Sequence, residues 1–145
     1  MPSPQHVNVV SCLVRNRDGS ILCVKHKIRG WEMPQGRVEQ GEAVLEALHR
    51  EVMEETGVTI DGPKLAAVWS KLSEPQAVIH GFVAEHVDGD PTPSEETPEV
   101  AWFSAAEAQQ RVEHPVNRDR LRDLLAFEEA ILFASYTTDP YRRSP

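Results

Sequence analysis

The stretch from Glu42 to Thr56 contains no glycine or proline, and Gly41 and Gly57 bracket it. Val44, Leu45, Leu48 and Val52 form an apolar stripe at helical spacing, and Gly57 stands where a helix stops, in the left-handed conformation that glycine adopts freely. The stretch reads as a helix that must bury one face. Away from that stripe, Glu51, Glu54 and Glu55 stand at i, i+3 and i+4, which at about 100° per residue puts three carboxylates within an arc of roughly 100°. Like charges at these spacings destabilise an isolated helix by roughly a few tenths of a kcal/mol per pair, and no lysine on that face relieves them. A hard divalent cation such as Mg²⁺ or Mn²⁺, which takes oxygen ligands, would turn the repulsion into attraction and could bridge carboxylate to phosphate. Taken alone, such a triplet is more often a solvated face.

Around this helix the chain punctuates itself into short elements. His6 to Asn16 and Ile21 to His26 are apolar runs separated by Asp18-Gly19, the pattern of a hairpin. Trp31 to Pro34 suits a short strand, with Gly36 and Gly41 marking sharp backbone changes. Val58 to Ile60, Ala66 to Leu72 and Ala77 to Val87 read as strands, divided by the turn signals Asp61-Gly62-Pro63 and Ser73-Glu74-Pro75. Asp88 to Pro98, with three prolines and several acids, is a loop long enough to carry function. Glu99 to Phe103 returns as a strand, Ser104 with Glu107 forms a capping box for a short helix, and Leu121, Leu124, Leu125, Ile131 and Leu132 suggest a longer final helix. The tail beyond Tyr136 is expected to fray. Interleaved helices and strands imply a mixed sheet covered by helices.

At 145 residues the chain fits a single domain, 1–145, large enough for a core without disulfides. Its net charge of −8 offers no global positive field for a polynucleotide or an anionic membrane, so a small substrate is the expected partner. Without a basic leader, a long apolar run or a cleavage pattern, the expected location is the cytoplasm. Cys12 and Cys23 lie in apolar strands and read as buried thiols.

Reading outward from the helix, Gly36, five residues, Glu42, seven residues, then Arg50-Glu51-Val52-Met53-Glu54-Glu55-Thr56-Gly57-Val58 matches the pattern GX5EX7REUXEEXGU, with U aliphatic, at every specified position. At ordinary residue usage a chance match is rarer than about one in a million. The chain therefore resembles the Nudix hydrolases. The resemblance implies a Nudix-like α/β/α sandwich with a mixed β-sheet between helices, and metal-dependent hydrolysis of nucleoside diphosphate-linked compounds. It also implies Glu51, Glu54 and Glu55 as ligands of Mg²⁺ (or Mn²⁺), one of them doubling as the base. Arg50 would orient a glutamate, most simply Glu54, and Glu42 would support the site. A dimer of identical chains is compatible with the resemblance.

The family often carries Gly-Gly after the proline, whereas here the segment reads Pro34-Gln35-Gly36. That variant resembles the segment in some Nudix enzymes acting on dinucleoside polyphosphates or RNA ends. Gln35 and Gly36 are thus candidates for substrate binding, as are Lys25 and Lys27, which would share a strand face and could reach phosphate. As edge-strand lysines those two would have no such role. Trp31, Trp69 and Trp102 could each stack on a base or fill the core. By resemblance, the loop from Asp88 to Pro98 is expected to close over the site and supply a further carboxylate, as extra metal ligand or general base, with Glu95 and Glu96 the first candidates, Glu99 a third, and Glu96 taken as the site residue. An idle, nucleotide-binding Nudix domain would be expected to lack one of the metal-binding glutamates, and an acidic interaction module would have no reason to carry the whole box. The variable loops leave the nucleotide-linked substrate open.

Overall fold

The computed structural model describes residues 2–145. Its order is β1 (Val7–Arg15), β2 (Ile21–His26), β3 (Gly30–Glu32), β4 (Gln35–Arg37), α1 (Val44–Thr56), β5 (Thr59–Lys71) and β6 (Ala77–Asp88). There follow β7 (Glu99–Phe103), α2 (Ala105–Arg111), α3 (Pro115–Leu125), β8 (Leu132–Thr137) and β9 (Arg142–Ser144). The strands form one mixed sheet in the order β3-β2-β1-β6-β5-β8-β9, with β4 also paired to β1 and β7 to β2. Strands β1 and β6 run parallel, as do β5 and β8, while the other pairings are antiparallel.

Alternation along β1 decides which layer each residue joins. Val10, Cys12 and Val14 face α1, where they pack with Leu48, Val52 and Phe82. Leu13 faces the opposite way, into a cluster with Trp69, Ile79, Leu121 and Leu124 beneath α2 and α3. Helices on both faces of a mixed sheet make the expected α/β/α sandwich. Each large apolar side chain buried this way contributes roughly 1.5–3 kcal/mol relative to exposure. Cys12 and Cys23 are buried free thiols. Gly81 lies under the indole of Trp69, where a Cβ would collide with the ring. That indole is 2% exposed and donates to Asp123 at 2.8 Å, so Trp69 is core and has no free face for a base.

Helix α1 starts at Val44 and ends on Gly57 at φ 74°, whose N–H reaches Met53 O at 2.8 Å. Ser104 caps α2 through Glu107 N at 3.1 Å, as the capping box implies. The β1–β2 hairpin forms around Asp18-Gly19 but is short, with Arg15 opposite Ile21 and Asn16 N donating to Ser20 O at 3.1 Å, because β4 pairs with β1 from Val9 to Ser11. Three expectations differ. Asp61-Gly62-Pro63 is an irregularity within one long β5, with Gly62 at φ 57° and the ladder shifting register there. The final helix stops at Leu125; from Phe133 the burial alternates, Ala134 and Tyr136 inward and Phe133 and Ser135 outward, and the segment from Leu132 adds to β5 as a parallel strand. The tail does not fray but folds back as β9 on β8.

Candidate active site

Strand β4 has one partner, β1, through which Pro34 O, Val38 N and Gly36 are paired. The intervening groups of Gln35 and Arg37 point to the open edge, where they would otherwise be unsatisfied. Side chains of α1 complete that edge. Gln35 N donates to Glu55 Oε1 at 2.8 Å, and Arg50 Nη2 donates to Arg37 O at 3.0 Å. Gly36 presents no side chain to α1, and the Glu51 carboxylate lies directly against it.

Arg50 is the hub of the cluster. Its guanidinium grips Glu42 by two bonds, of 2.6 and 2.9 Å, and Nη1 reaches Glu51 at 2.8 Å and Glu54 at 3.1 Å. The Arg50 hydrogen bonds and the Glu39 N–H hold the Glu42 carboxyl down to about 2. Burial raises the Glu51 carboxyl, with Glu54 and Glu96 adding to the rise and Arg50 opposing it. Burial pushes Glu55 up to about 8, despite the Gln35 N–H, and the charges of Glu51, Glu32 and Glu96 push the same way. Glu54 is 59% exposed, the open member of the triplet. Carboxylates crowded and desolvated in this way are a fitting donor set for a hard divalent cation. Among the described residues no three His, Cys, Asp or Glu side chains stand already converged on one cation position. Arg50 holds two of the triplet and the β4 edge holds the third.

The residues expected at the site thus come together: Glu42, Arg50, Glu51, Glu54 and Glu55, with Gln35 and Gly36 supplying the strand edge. Glu96 lies close enough for its charge to bear on both Glu51 and Glu55. Its loop is fastened to α1 by Thr97, whose hydroxyl donates to Glu55 O at 2.8 Å. The lysines are elsewhere. Lys25 pairs with Glu99 at 3.1 Å and lies over Trp31, in a separate groove with Arg29 and Arg111. Lys27 is exposed in the turn after β2, so the two do not share a strand face. Trp102 packs its edge against His86, and Trp31 against Phe103.

On the opposite face of β4, between the sheet and α3, opens a cleft of about 340 Å³. Val9, Ile79 and Tyr136 give it apolar walls, and Gln35, Asn117 and Arg120 give it polar ones. Behind it Glu32, 1% exposed, accepts from Arg29 twice at 2.8 Å, from Gln35 at 3.0 Å and from Asn117 at 2.7 Å. Sequence reasoning missed Glu32, Arg37, Asn117 and Arg120. A signal was present: Asn117, Arg120, Leu121 and Leu124 occupy one buried helical stripe, and two of its members are polar.

The pattern of the NUDIX domain matches residues 5–124. This chain belongs to the Nudix family. The Nudix domain described here is 25% identical over 138 residues to the uncharacterized Nudix hydrolase YvcI of Bacillus subtilis, covering 91% of this chain and 87% of that protein. It is 30% identical over 104 residues to an 8-oxo-(d)GTP phosphatase of Mycolicibacterium smegmatis, covering 70% of this chain. The match spans only 32% of that longer relative. In structure the Nudix domain is similar to a mutator MutT protein from Bacillus halodurans, with TM-score 0.81, 25% identity, and 96% and 98% of the two chains covered.

Proposed function

We propose that this Nudix domain is a Mg²⁺- or Mn²⁺-dependent hydrolase that cuts a diphosphate linkage in a small nucleotide-like substrate. The observation that carries the reading is the carboxylate cluster of Glu51, Glu54 and Glu55 on the open edge of β4, with a ligand-sized cleft on that strand's other face. Such a cation, when bound, supplies charge neutralisation at the phosphates and a more acidic water. Glu51, Glu54 and Glu55 would hold it. Arg50 keeps Glu51 and Glu54 aimed at one region, while Glu42 keeps Arg50 from swinging away. Water adds to phosphorus, a bridging P–O bond breaks, and Glu55 or Glu96 takes the proton. Its place at the loop root, where its charge bears on both Glu51 and Glu55, favours Glu96 for that role. The 8-oxo-(d)GTP phosphatase relative supports a nucleoside triphosphate as a first substrate to try. Gln35 is engaged by Glu32 and Arg120, so the Pro34-Gln35-Gly36 segment does not by itself argue for dinucleoside polyphosphates or RNA ends.

The test is a panel of nucleoside triphosphates, ADP-ribose, diadenosine polyphosphates and nucleotide sugars, with products resolved by chromatography. Turnover should yield two phosphate-ended products, vanish in EDTA and fall by several orders of magnitude in Glu54→Gln. Undiminished turnover in EDTA, or release of orthophosphate alone from simple monoesters, would overturn the reading.

A further inference from the structure

The α3-side cleft has a charge pattern that the hydrolysis of a diphosphate does not explain. The chain carries a net charge of −8, yet among the described residues Arg29, Arg37, Lys71 and Arg120 line this cleft and no Asp or Glu does. Arg29 is neutralised by Glu32, whose carboxylate is saturated by Arg29, Gln35 and Asn117. Arg120 is not neutralised. It is 8% exposed, and its guanidinium donates to two uncharged oxygens, Gln35 Oε1 at 3.0 Å and Tyr136 Oη at 2.7 Å. The faces of Trp69 and Tyr136 hold it in place, 5.6 and 5.8 Å from the two ring centroids. Its Nε, itself buried, has no partner among the described residues, and neither has the buried Nδ1 of His114 on the same cleft wall. Burying a cation without a counter-charge is costly, and a fixed guanidinium that lines a cleft is an arrangement proteins use to receive an oxyanion.

We propose that this cleft binds a second phosphate group of the substrate, a phosphate monoester on the moiety beyond the scissile diphosphate, and that Arg120 is the residue that selects for it. The proposal rests on the hydrolase reading for the position of the diphosphate, since Gln35 joins the two sites: its N–H holds Glu55 and its side-chain oxygen holds Arg120. A phosphate monoester carries about 1.5–2 negative charges at pH 7, which suits the unpaired positive charge of Arg120 together with Lys71 and Arg37 at the mouth. A neutral base in the cleft would leave Arg120 uncompensated.

Calorimetric titration tests this without any turnover. In EDTA, where the bare glutamates repel phosphate, AMP should bind at least tenfold more tightly than adenosine, and inorganic phosphate should compete with it. In Mg²⁺, with the 5′-phosphate drawn to the glutamates, adenosine 2′,5′- or 3′,5′-bisphosphate should bind at least tenfold more tightly than AMP. Arg120→Gln should reduce both ratios below threefold. Equal binding of adenosine and AMP, no gain from either second phosphate, or ratios unchanged in Arg120→Gln would each overturn the proposal. Should Arg120→Gln fail to fold, Lys71→Ala at the cleft mouth should still lower both ratios at least twofold, and unchanged ratios there count against it. Loss of hydrolysis on the whole substrate panel with these ratios intact would remove the hydrolase reading and leave the anion site standing.

Discussion

Gly36 and Glu51 share one volume: the carboxylate of Glu51 fills the place where a side chain at position 36 would stand. The glycine is therefore required for the position of a functional group rather than for a turn. Gly36→Ala should push Glu51 off the β4 edge while leaving both apolar clusters untouched. A displacement of about 1 Å at a reacting centre costs on the order of 10²-fold in rate. The expected result is kcat/KM reduced at least that far with thermal stability nearly unchanged. Parent-like activity would show that Glu51 has no fixed place in the chemistry.

Arg50 holds three carboxylates and a main-chain oxygen at once, which only the planar fork of a guanidinium can do. Arg50→Lys should keep the charge and lose most of these bonds. Urea unfolding is expected to show a loss of about 1–2 kcal/mol, and kcat should fall more than KM rises because the glutamates lose their alignment. A lysine variant with full turnover would reduce Arg50 to a surface ion-pair residue.

Among the loop acids, Glu96 acts on Glu51 and Glu55, while Glu99 is held by Lys25. Glu96→Gln should lower turnover by about 10²- to 10⁴-fold with little change in substrate binding, the range typical of a lost general base. Glu95→Gln and Glu99→Gln should stay within a few-fold of the parent. If all three do so, the proton acceptor belongs to α1.

His114 titrates below its ordinary value, because of burial and then the charge of Arg29, with Arg120 adding to the effect and Glu32 opposing it. A histidine whose folded-state pKa is depressed binds its proton later than the unfolded chain does as pH falls. Stability should therefore decline as pH drops below about 6.5 toward the lower folded-state value. His114→Asn should flatten that slope in denaturation curves collected between pH 7 and 5. An NMR midpoint for His114 at or above 6.5 would contradict the assignment.

The legible parts of this chain were those governed by neighbours in sequence. The α1 stripe, its Gly57 terminus, the Ser104 cap and the glutamate face all follow from residues a turn or two apart. Strand identity was readable for the same reason, and so was the short β1–β2 hairpin, but long-range pairing was not: β1 joins β6 across the sheet, and nothing in the Asp18-Gly19 turn records that preference. Leu132 was misread because its apolar neighbours suit a helix until β5 offers an open edge. The cleft was hidden because its polar residues occupy positions of a core stripe, and their value depends on Glu32, 85 residues from Asn117.

The lengths of chain between partners divide the molecule in a way that bears on how it can change over generations. The carboxylate cluster is closed by contacts no longer than the 20 residues from Gln35 to Glu55, whereas Gln35 reaches Arg120 across 85. Apart from Glu96 on its loop, the reaction apparatus is thus encoded in one contiguous cassette, and the cleft wall is encoded far downstream on a separate helix. Substitutions along α3 can remodel what enters the cleft without disturbing the cassette, so a duplicated copy of this gene could acquire a new ligand while inheriting its chemistry whole.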